Sequence, residues 1–185
     1  MFYRKISRRL FLKASLAASL MLLEGTQCLA SIPPEQTDEG RLTLFNSHSR
    51  ERLTLAYRDS SGNIDQEAVR QFNWILRCHS GEVGEMDMRV IEYLSLVDKQ
   101  LGGNNEIHII SGFRSPNYNA MLRKRSRGGV ARKSLHMKGK AIDIAVPGVD
   151  LHTLRTAALD LRYGGVGYYP GPGFVHIDSG SFRAW

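Results

Sequence analysis

Three polar residues in the second half of the sequence have the types and spacing of a metal-binding hydrolytic site. His136 and Asp143 lie seven positions apart in "SLHMKGKAID", and His176 lies in "FVHIDSG". Two imidazoles and one carboxylate form a three-ligand set suited to catalytic zinc, which keeps its fourth position for water. Zinc lowers the pKa of that water to about 7, so this set predicts hydrolysis at neutral pH.

The elements around these residues explain how they are expected to converge. In "AIDIAV", strand alternation places Asp143 on one face with two alanines, and both isoleucines on the other face. His176 and Asp178 are two positions apart on a second strand and therefore share a face. His136 lies on the turn before the first strand, where a glycine allows the chain to fold back. Asp178 is then expected beside the metal, as a general base or as a group that orients a ligand histidine.

The first thirty residues have the composition of an export signal. The segment "SRRLFLK" contains Arg8 and Arg9 and resembles the twin-arginine export pattern. The apolar run that follows, residues 14–23, is shorter than the about 20 residues that a membrane-spanning helix needs. We expect a signal peptide at residues 1–30, periplasmic delivery by the twin-arginine pathway, and no stable membrane insertion after cleavage.

Charge and cysteine content argue against a nucleic-acid-binding protein and against a disulfide-stabilised domain. The formal charge is +7, of which five cationic side chains and Glu24 in residues 1–30 contribute +4, which leaves +3 for the mature chain. So small a charge does not favour a nucleic-acid partner. One of the two cysteines, Cys78, remains after cleavage, so no internal disulfide is expected.

The remaining sequence predicts an α+β domain at residues 41–185, after a polar, proline-containing linker at residues 31–40. We expect a small, mainly antiparallel sheet that carries the zinc site, with flanking helices. The alternation of apolar and polar residues and the helical periodicity predict a hairpin at 41–59, helices at 65–79, 88–101, 115–125 and 149–161, and strands at 106–112, 141–146, 164–169 and 173–180.

Three motifs, "SGFRSPNYN", "SLHMKGKAIDI" and "GGVGYYP…FVHIDSG", resemble those of the zinc D-Ala-D-Ala metallopeptidase superfamily, which includes lysostaphin-like enzymes and the hedgehog domain. The nearest resemblance is to its periplasmic YcbK-like, or murein endopeptidase K, branch. It spans residues 41–185. The resemblance implies one Zn²⁺ per chain, bound by His136, Asp143 and His176.

The same resemblance implies roles for residues around the metal. Arg114 is expected to contact substrate and the developing oxyanion, and Ser134 to bind substrate and support the ligand loop. Several relatives carry their catalytic carboxylate just before the last ligand histidine, where this chain has "PGPGF". Asp178 is therefore the best available base. The basic loop at residues 123–133 is expected to be solvated or to hold stem-peptide carboxylates.

The implied function is hydrolysis of peptidoglycan cross-links by a periplasmic, monomeric zinc endopeptidase, plausible bonds being those that join two diaminopimelate residues. Two alternatives remain open at this point. A carboxypeptidase that removes D-alanine needs a cleft closed at one end, which loops decide. A non-catalytic peptidoglycan-binding module that retains the zinc site is also compatible, because a fold does not imply a function.

Overall fold

The computed structural model describes residues 40–59, 61–126 and 129–185 of the chain. The predicted signal peptide at 1–30 and the predicted linker up to residue 39 lie outside these residues. Within the described ranges, no helix combines the length and the apolar character needed to cross a bilayer. The elements are β1 (Arg41–Asn46), β2 (Arg52–Ala56), α1 (Gln66–Ile75), α2 (Met88–Gln100), β3 (Glu106–Ser111), α3 (Pro116–Arg125), a short 3₁₀ helix (Leu135–Lys138), β4 (Ala141–Ala145), α4 (Leu151–Asp160), β5 (Gly165–Tyr169), β6 (Phe174–Asp178) and β7 (Arg183–Ala184).

The α+β class is confirmed, but the expected small sheet is instead a seven-stranded mixed sheet, in which antiparallel pairs predominate. All seven described strands form one mixed sheet in the order β2-β1-β3-β4-β6-β5-β7. The pairs β1–β3 and β5–β7 are parallel, and the other four pairs are antiparallel. The parallel β1–β3 pair requires a long crossover connection. Helices α1 and α2 lie in that connection. The β1–β3 pairing joins the early hairpin to the later strands in a single sheet.

Capping residues and apolar periodicity determine where the helices form. Asp65, Asp87, Ser115 and Asp150 are the N-caps of the four helices, and each side chain accepts a hydrogen bond from a backbone N–H of the first turn. Pro116 occupies the first turn of α3, where its missing N–H costs nothing. The boundaries are within a few residues of those expected from the sequence, as is usual for helix ends.

The hydrophobic core lies between one face of the sheet and helices α1, α2 and α4. Ile142 and Ile144 of β4 and Val175 and Ile177 of β6 are fully buried in it. Because side chains alternate along a strand, the residues between them point to the opposite face. On β4 and β6 that opposite face is polar, and it carries the candidate site.

Candidate metal centre and substrate cleft

A short 3₁₀ helix places His136 at the site. The helix begins after Ser134 and ends at Gly139, which has a φ of 64°. A Cβ atom at Gly139 would overlap the carbonyl oxygen of Glu85, so glycine satisfies both the left-handed backbone and the close packing. The chain then reverses directly into β4, as the sequence predicted. The His136 side chain is consequently buried above that strand, with 2% of its surface exposed.

The register of two adjacent strands brings the other two residues together. Asp143 on β4 is directly opposite His176 on β6, and Ala141 is opposite Asp178. Directly opposite residues have Cβ atoms about 4.5–5.5 Å apart, close enough for their polar ends to meet. The small side chain of Ala141 leaves space for the carboxylate of Asp178. The shared polar face that alternation predicted is therefore present on both strands.

Donor atoms of the three predicted ligands lie at separations that fit one tetrahedral metal ion. His136 Nε2 lies 3.2 Å from Asp143 Oδ1 and 3.2 Å from His176 Nδ1, and His176 Nδ1 lies 2.8 Å from Asp143 Oδ1. Two ligand atoms bound to a common tetrahedral Zn²⁺ at 2.0–2.1 Å are about 3.3 Å apart. The three residues thus form a group that could hold a metal ion.

Each of these three residues is oriented by a partner on its far side. His136 Nδ1 donates a hydrogen bond of 2.7 Å to the Gly112 carbonyl oxygen, so its Nε2 lone pair points inward. His176 Nε2 donates to Asp178 Oδ2 at 3.1 Å, so its Nδ1 points inward. Asp143 presents Oδ1 to the histidines, while Oδ2 accepts from the Arg114 guanidinium. Such outer partners are typical of metal sites, where they fix the tautomer and orientation of the ligands.

The pKa shifts of His136 and Asp143 favour binding of a cation, whereas that of His176 favours a proton. Burial lowers the pKa of His136 more than Asp143 raises it, which favours the neutral imidazole that metals bind. Burial alone would raise the pKa of Asp143, but His136, His176 and Arg114 together hold it well below its usual range. Burial also opposes charge on His176, but Asp143 and Asp178 outweigh it and raise its pKa. A buried anion between two imidazoles is compensated when a cation binds.

Arg114 lies behind Asp143 and also lines the cleft. Its Nε donates to Ser111 Oγ at 2.8 Å, and its backbone N–H donates to the His136 carbonyl oxygen at 3.2 Å. The side chain is 13% exposed. Within the described part of the chain, Nη1 makes no hydrogen bond, which leaves one donor group for the cleft. Ser134, the other residue assigned to substrate binding, is buried at the start of the 3₁₀ helix and also lines the cleft.

Asp178 occupies a different position from that expected of a general base. Its side chain has no exposed surface, and both oxygens accept hydrogen bonds. Arg183 donates to them at 3.0 and 2.6 Å, and the backbone N–H of Gly180 donates at 2.8 Å. Burial alone would raise the pKa of Asp178, but His176, Arg183 and Gly180 lower it to about 2. The carboxylate therefore faces the far nitrogen of His176, and not the side on which the three donor atoms meet.

The cleft above the three donor atoms has a lining of mixed chemistry. It contains the aromatic residues Tyr169, Phe174 and Trp185, the cationic residues Arg114, Lys133 and Arg183, and aliphatic residues that include Leu122 and Val130. The sequence left open whether Tyr168 and Tyr169 pack or line a cleft. Tyr169 lines the cleft, whereas Tyr168 packs against the core. Of the basic loop at residues 123–133, Gly129, Val130, Ala131 and Lys133 line the cleft, so Lys133 is its one basic residue there within the described part of the chain.

Several contributors to the site carried no recognisable sequence signal. Gly112 acts through its backbone carbonyl, so no side chain indicates its role, although a Cβ atom there would overlap the Leu76 carbonyl oxygen. Arg183 and Trp185 lie on or beside β7, a strand of only two residues that pairs with β5. One indirect signal for Arg183 and Trp185 was present, namely the two glycines at alternate positions of β5, Gly165 and Gly167. Cβ atoms there would collide with Arg183 and Trp185, respectively.

A mixed α+β fold with a buried His-Asp-His set beside an open cleft places the chain in the class of metal-dependent peptidases that includes the zinc D-Ala-D-Ala metallopeptidases. More specifically, the chain belongs to the peptidoglycan L,D-endopeptidase MepK family, whose sequence pattern matches residues 35–185.

Named relatives support this membership over most of the chain. The peptidoglycan L,D-endopeptidase MepK of Escherichia coli (strain K12) is 40% identical over 144 residues, which cover 78% of this chain and 79% of that protein. The probable peptidoglycan L,D-endopeptidase MepK of Haemophilus influenzae is 38% identical over 146 residues, with coverage of 78% and 77%. The chain therefore spans most of the length of both relatives.

Proposed function

We propose that the chain is a zinc-dependent endopeptidase that hydrolyses peptide cross-links of peptidoglycan. The observation that carries this proposal is the convergence of His136 Nε2, Asp143 Oδ1 and His176 Nδ1 at separations of 2.8–3.2 Å. The relatives named above are a peptidoglycan L,D-endopeptidase and a probable one, which favours an amide between an L and a D centre. Bonds that join two diaminopimelate residues have this character.

The metal in this proposal is one Zn²⁺, held by His136, Asp143 and His176. Zinc with three protein ligands supplies Lewis acidity and lowers the pKa of a bound water to about 7. The separations of the donor atoms suit its tetrahedral geometry, and the imidazole–carboxylate set suits its ligand preferences. The surrounding residues Gly112 and Asp178 keep both imidazoles in the tautomer that binds metal.

Arg114 has two roles in this proposal. Its contact with Asp143 holds the carboxylate so that Oδ1 faces the two histidines. Its remaining N–H groups are available to a substrate carbonyl in the cleft, where a positive donor stabilises the developing oxyanion. The guanidinium is suited to both tasks because it presents several donors in one rigid plane. Ser134 lies beside the same space and is proposed as a substrate contact.

For Asp178 we propose orientation of His176 in place of proton abstraction. The carboxylate accepts a hydrogen bond from the Nε2–H group of His176, and Arg183 donates to it from the other side. A carboxyl group with a pKa of about 2 is also a weak proton acceptor at neutral pH. The sequence-based prediction of a base role thus has less support than the orienting role, and a single variant separates the two, as described in the Discussion.

Export and domain boundaries are proposed from the sequence. Residues 1–30 are the proposed twin-arginine signal, residues 31–40 a linker, and residues 41–185 the peptidase domain, which acts in the periplasm as a monomer. Changing Arg8 and Arg9 together to lysine should leave precursor in the cytoplasm when cell fractions are probed. Normal periplasmic delivery of that variant would exclude the twin-arginine route.

The function is tested by incubating the purified mature protein with purified peptidoglycan, with and without a chelator, and identifying released fragments by mass spectrometry. We expect cross-linked fragments to become monomers, and we expect the chelator to prevent this. Restoration by added Zn²⁺ would support zinc over other divalent ions. Release of free D-alanine alone would indicate a carboxypeptidase, and binding without any cleavage would indicate a wall-binding module.

A further inference from the structure

Trp185 is held firmly in place yet remains half exposed. Its backbone N–H donates to the Val166 carbonyl oxygen at 3.2 Å, and its indole Nε1 donates to Tyr169 Oη at 2.8 Å. The Arg183 guanidinium lies over the ring, 4.9 Å from its centroid. Despite these contacts, 46% of the residue is exposed. An aromatic ring that is fixed but uncovered offers a binding surface without a further cost in side-chain entropy.

The sheet provides a specific position for this ring. Gly167 on β5 pairs with His176 on β6, and a Cβ atom at Gly167 would lie 2.7 Å from the Trp185 indole. The missing side chain therefore lets the indole approach the strand. The ring centroids of Trp185 and His176 are consequently 5.4 Å apart. Tyr169 and Phe174, stacked with centroids 4.7 Å apart, extend the same surface, so that these three residues form an aromatic wall beside a proposed metal ligand.

The cleft lining also contains cationic groups. Lys133 is exposed, Arg114 is 13% exposed, and Arg183 lies beside Trp185, with aliphatic residues such as Leu122 and Val130 also in the lining. A ligand that fits this lining has an aliphatic part for the aromatic wall and a carboxylate for the cationic groups. A peptide that contains a diamino dicarboxylic acid such as diaminopimelate has both features, because a methylene chain separates its distal carboxylate from the backbone.

We propose that Trp185 is a substrate-positioning residue, whose indole packs against the aliphatic chain of the diamino acid in the cross-link while Lys133 faces a carboxylate. This inference rests on the proposed peptidoglycan substrate. It extends that proposal by assigning an apolar subsite to the aromatic wall. Apolar packing that is equal in the ground state and the transition state changes KM and leaves kcat unchanged.

Trp185→Ala tests this assignment, with steady-state cleavage of a purified cross-linked muropeptide dimer as the measurement. We expect KM to rise about tenfold, because truncation of a well-placed tryptophan removes much of the binding at an interface. We expect kcat and zinc content to stay within about twofold, in accordance with uniform binding. Trp185→Phe should recover most of the loss. Trp74→Phe, on the exposed side of α1, is the matched control and should behave as wild type.

A fall in kcat or zinc content with unchanged KM would overturn the proposal, since it would mean that Trp185 acts through His176. A wild-type KM in Trp185→Ala would overturn it as well. Circular dichroism of both Trp185 variants shows whether each one folds. If Trp185→Ala does not fold, Trp185→Phe and the fluorescence measurement decide; if neither folds, the fluorescence measurement decides.

Fluorescence tests the inference independently of turnover. The chain has two tryptophans, so Trp74→Phe leaves Trp185 as the single indole reporter. Addition of the muropeptide dimer to this variant in the presence of a chelator should shift its emission in a saturable manner. If the wild type cleaves nothing but the emission shifts, the proposed enzyme function fails and the binding surface stands. If cleavage occurs without a shift, the assignment of Trp185 fails.

Discussion

The two ends of the sheet use the same charged residue types in opposite ways. At the β2-β1-β3 end, Arg52 and Glu106 form an ion pair of 2.8 Å whose side chains are 64% and 33% exposed. At the β4-β6-β5-β7 end, Arg183 pairs with Asp178 at 2.6 Å; the arginine side chain is 45% exposed, but the carboxylate has no exposed surface. Exposed pairs are screened by water and contribute little, whereas loss of one partner from a buried pair leaves an uncompensated charge.

The comparison shows that the effect of an ion pair on the site depends on which group its carboxylate contacts next. The side chains of Arg52 and Glu106 face solvent and contact no residue of the candidate site within the described part of the chain. Arg183 and Arg114 each hold a carboxylate that in turn contacts a candidate ligand or is one. The buried pairs therefore transmit their orientation to the site. Substitutions at the two ends should separate accordingly, in effects on metal content and turnover.

The largest effect is expected at the proposed ligands themselves. His136→Ala and His176→Ala each remove one of three ligands, and turnover should fall by about 10³ or more, since metal assistance is worth several kcal/mol. Zinc content, measured by atomic emission after dialysis, should fall in parallel. His152→Ala, an exposed histidine on α4, is the control and should change neither quantity. Full retention of metal in both ligand variants would refute the assignment.

Arg114→Ala is expected to have the next largest effect. It removes a donor aimed at the cleft and also releases Asp143, so turnover should fall by about 10²–10³. The loss should persist at saturating zinc, because the oxyanion contact is not restored by metal. Arg114→Lys keeps the charge but not the planar fork, and should recover only part of the activity. Wild-type turnover at saturating zinc in Arg114→Ala would eliminate the oxyanion role.

Asp178→Asn distinguishes the orienting role from the base role. If Asp178 only orients His176, zinc affinity should fall by about 10–100-fold, and excess zinc should restore most of the turnover. If it is the base, zinc affinity should be normal and turnover should remain low at any zinc concentration. Asp98→Asn is a matched control, because Asp98 is a buried carboxylate on α2 that accepts hydrogen bonds from Asn105. Zinc titration with an activity readout makes the measurement.

Much of the fold followed from local sequence patterns, but the extent of the sheet did not. Caps such as Asp65 and Ser115, and the alternation in β4 and β6, are signals carried by neighbouring residues. The parallel β1–β3 pair joins segments that are separated by two helices, so no local pattern reveals it. Strand β7 has two residues and exists only because β5 lies beside it.

The candidate site likewise contains residues that the sequence indicated and residues that it did not. The convergence of His136, Asp143 and His176 was predictable because residue type and family motif indicate all three, and strand face indicates Asp143 and His176. The groups that orient these residues were not, because their roles depend on contacts across the fold. The Gly112 carbonyl has no side-chain signature. The position of Asp178 behind His176 depends on which nitrogen faces the site, and the sequence does not specify that orientation.

The smallest effect is expected at the exposed end of the sheet. Glu106→Gln removes the charge that Arg52 contacts, but both side chains keep access to water and the pair is screened by salt. Glu106 also contacts His108, with 3.1 Å between Oε1 and Nε2, and both side chains are partly exposed. The substitution therefore leaves no buried charge without a partner. Thermal midpoint, zinc content and turnover should all match those of wild type. By contrast, Arg183→Gln should lower zinc affinity, because it leaves Asp178 without its bidentate partner. Equal behaviour of the two variants would mean that burial of the Asp178 pair does not couple it to His176, and the contrast between the two ends would then lose its physical basis.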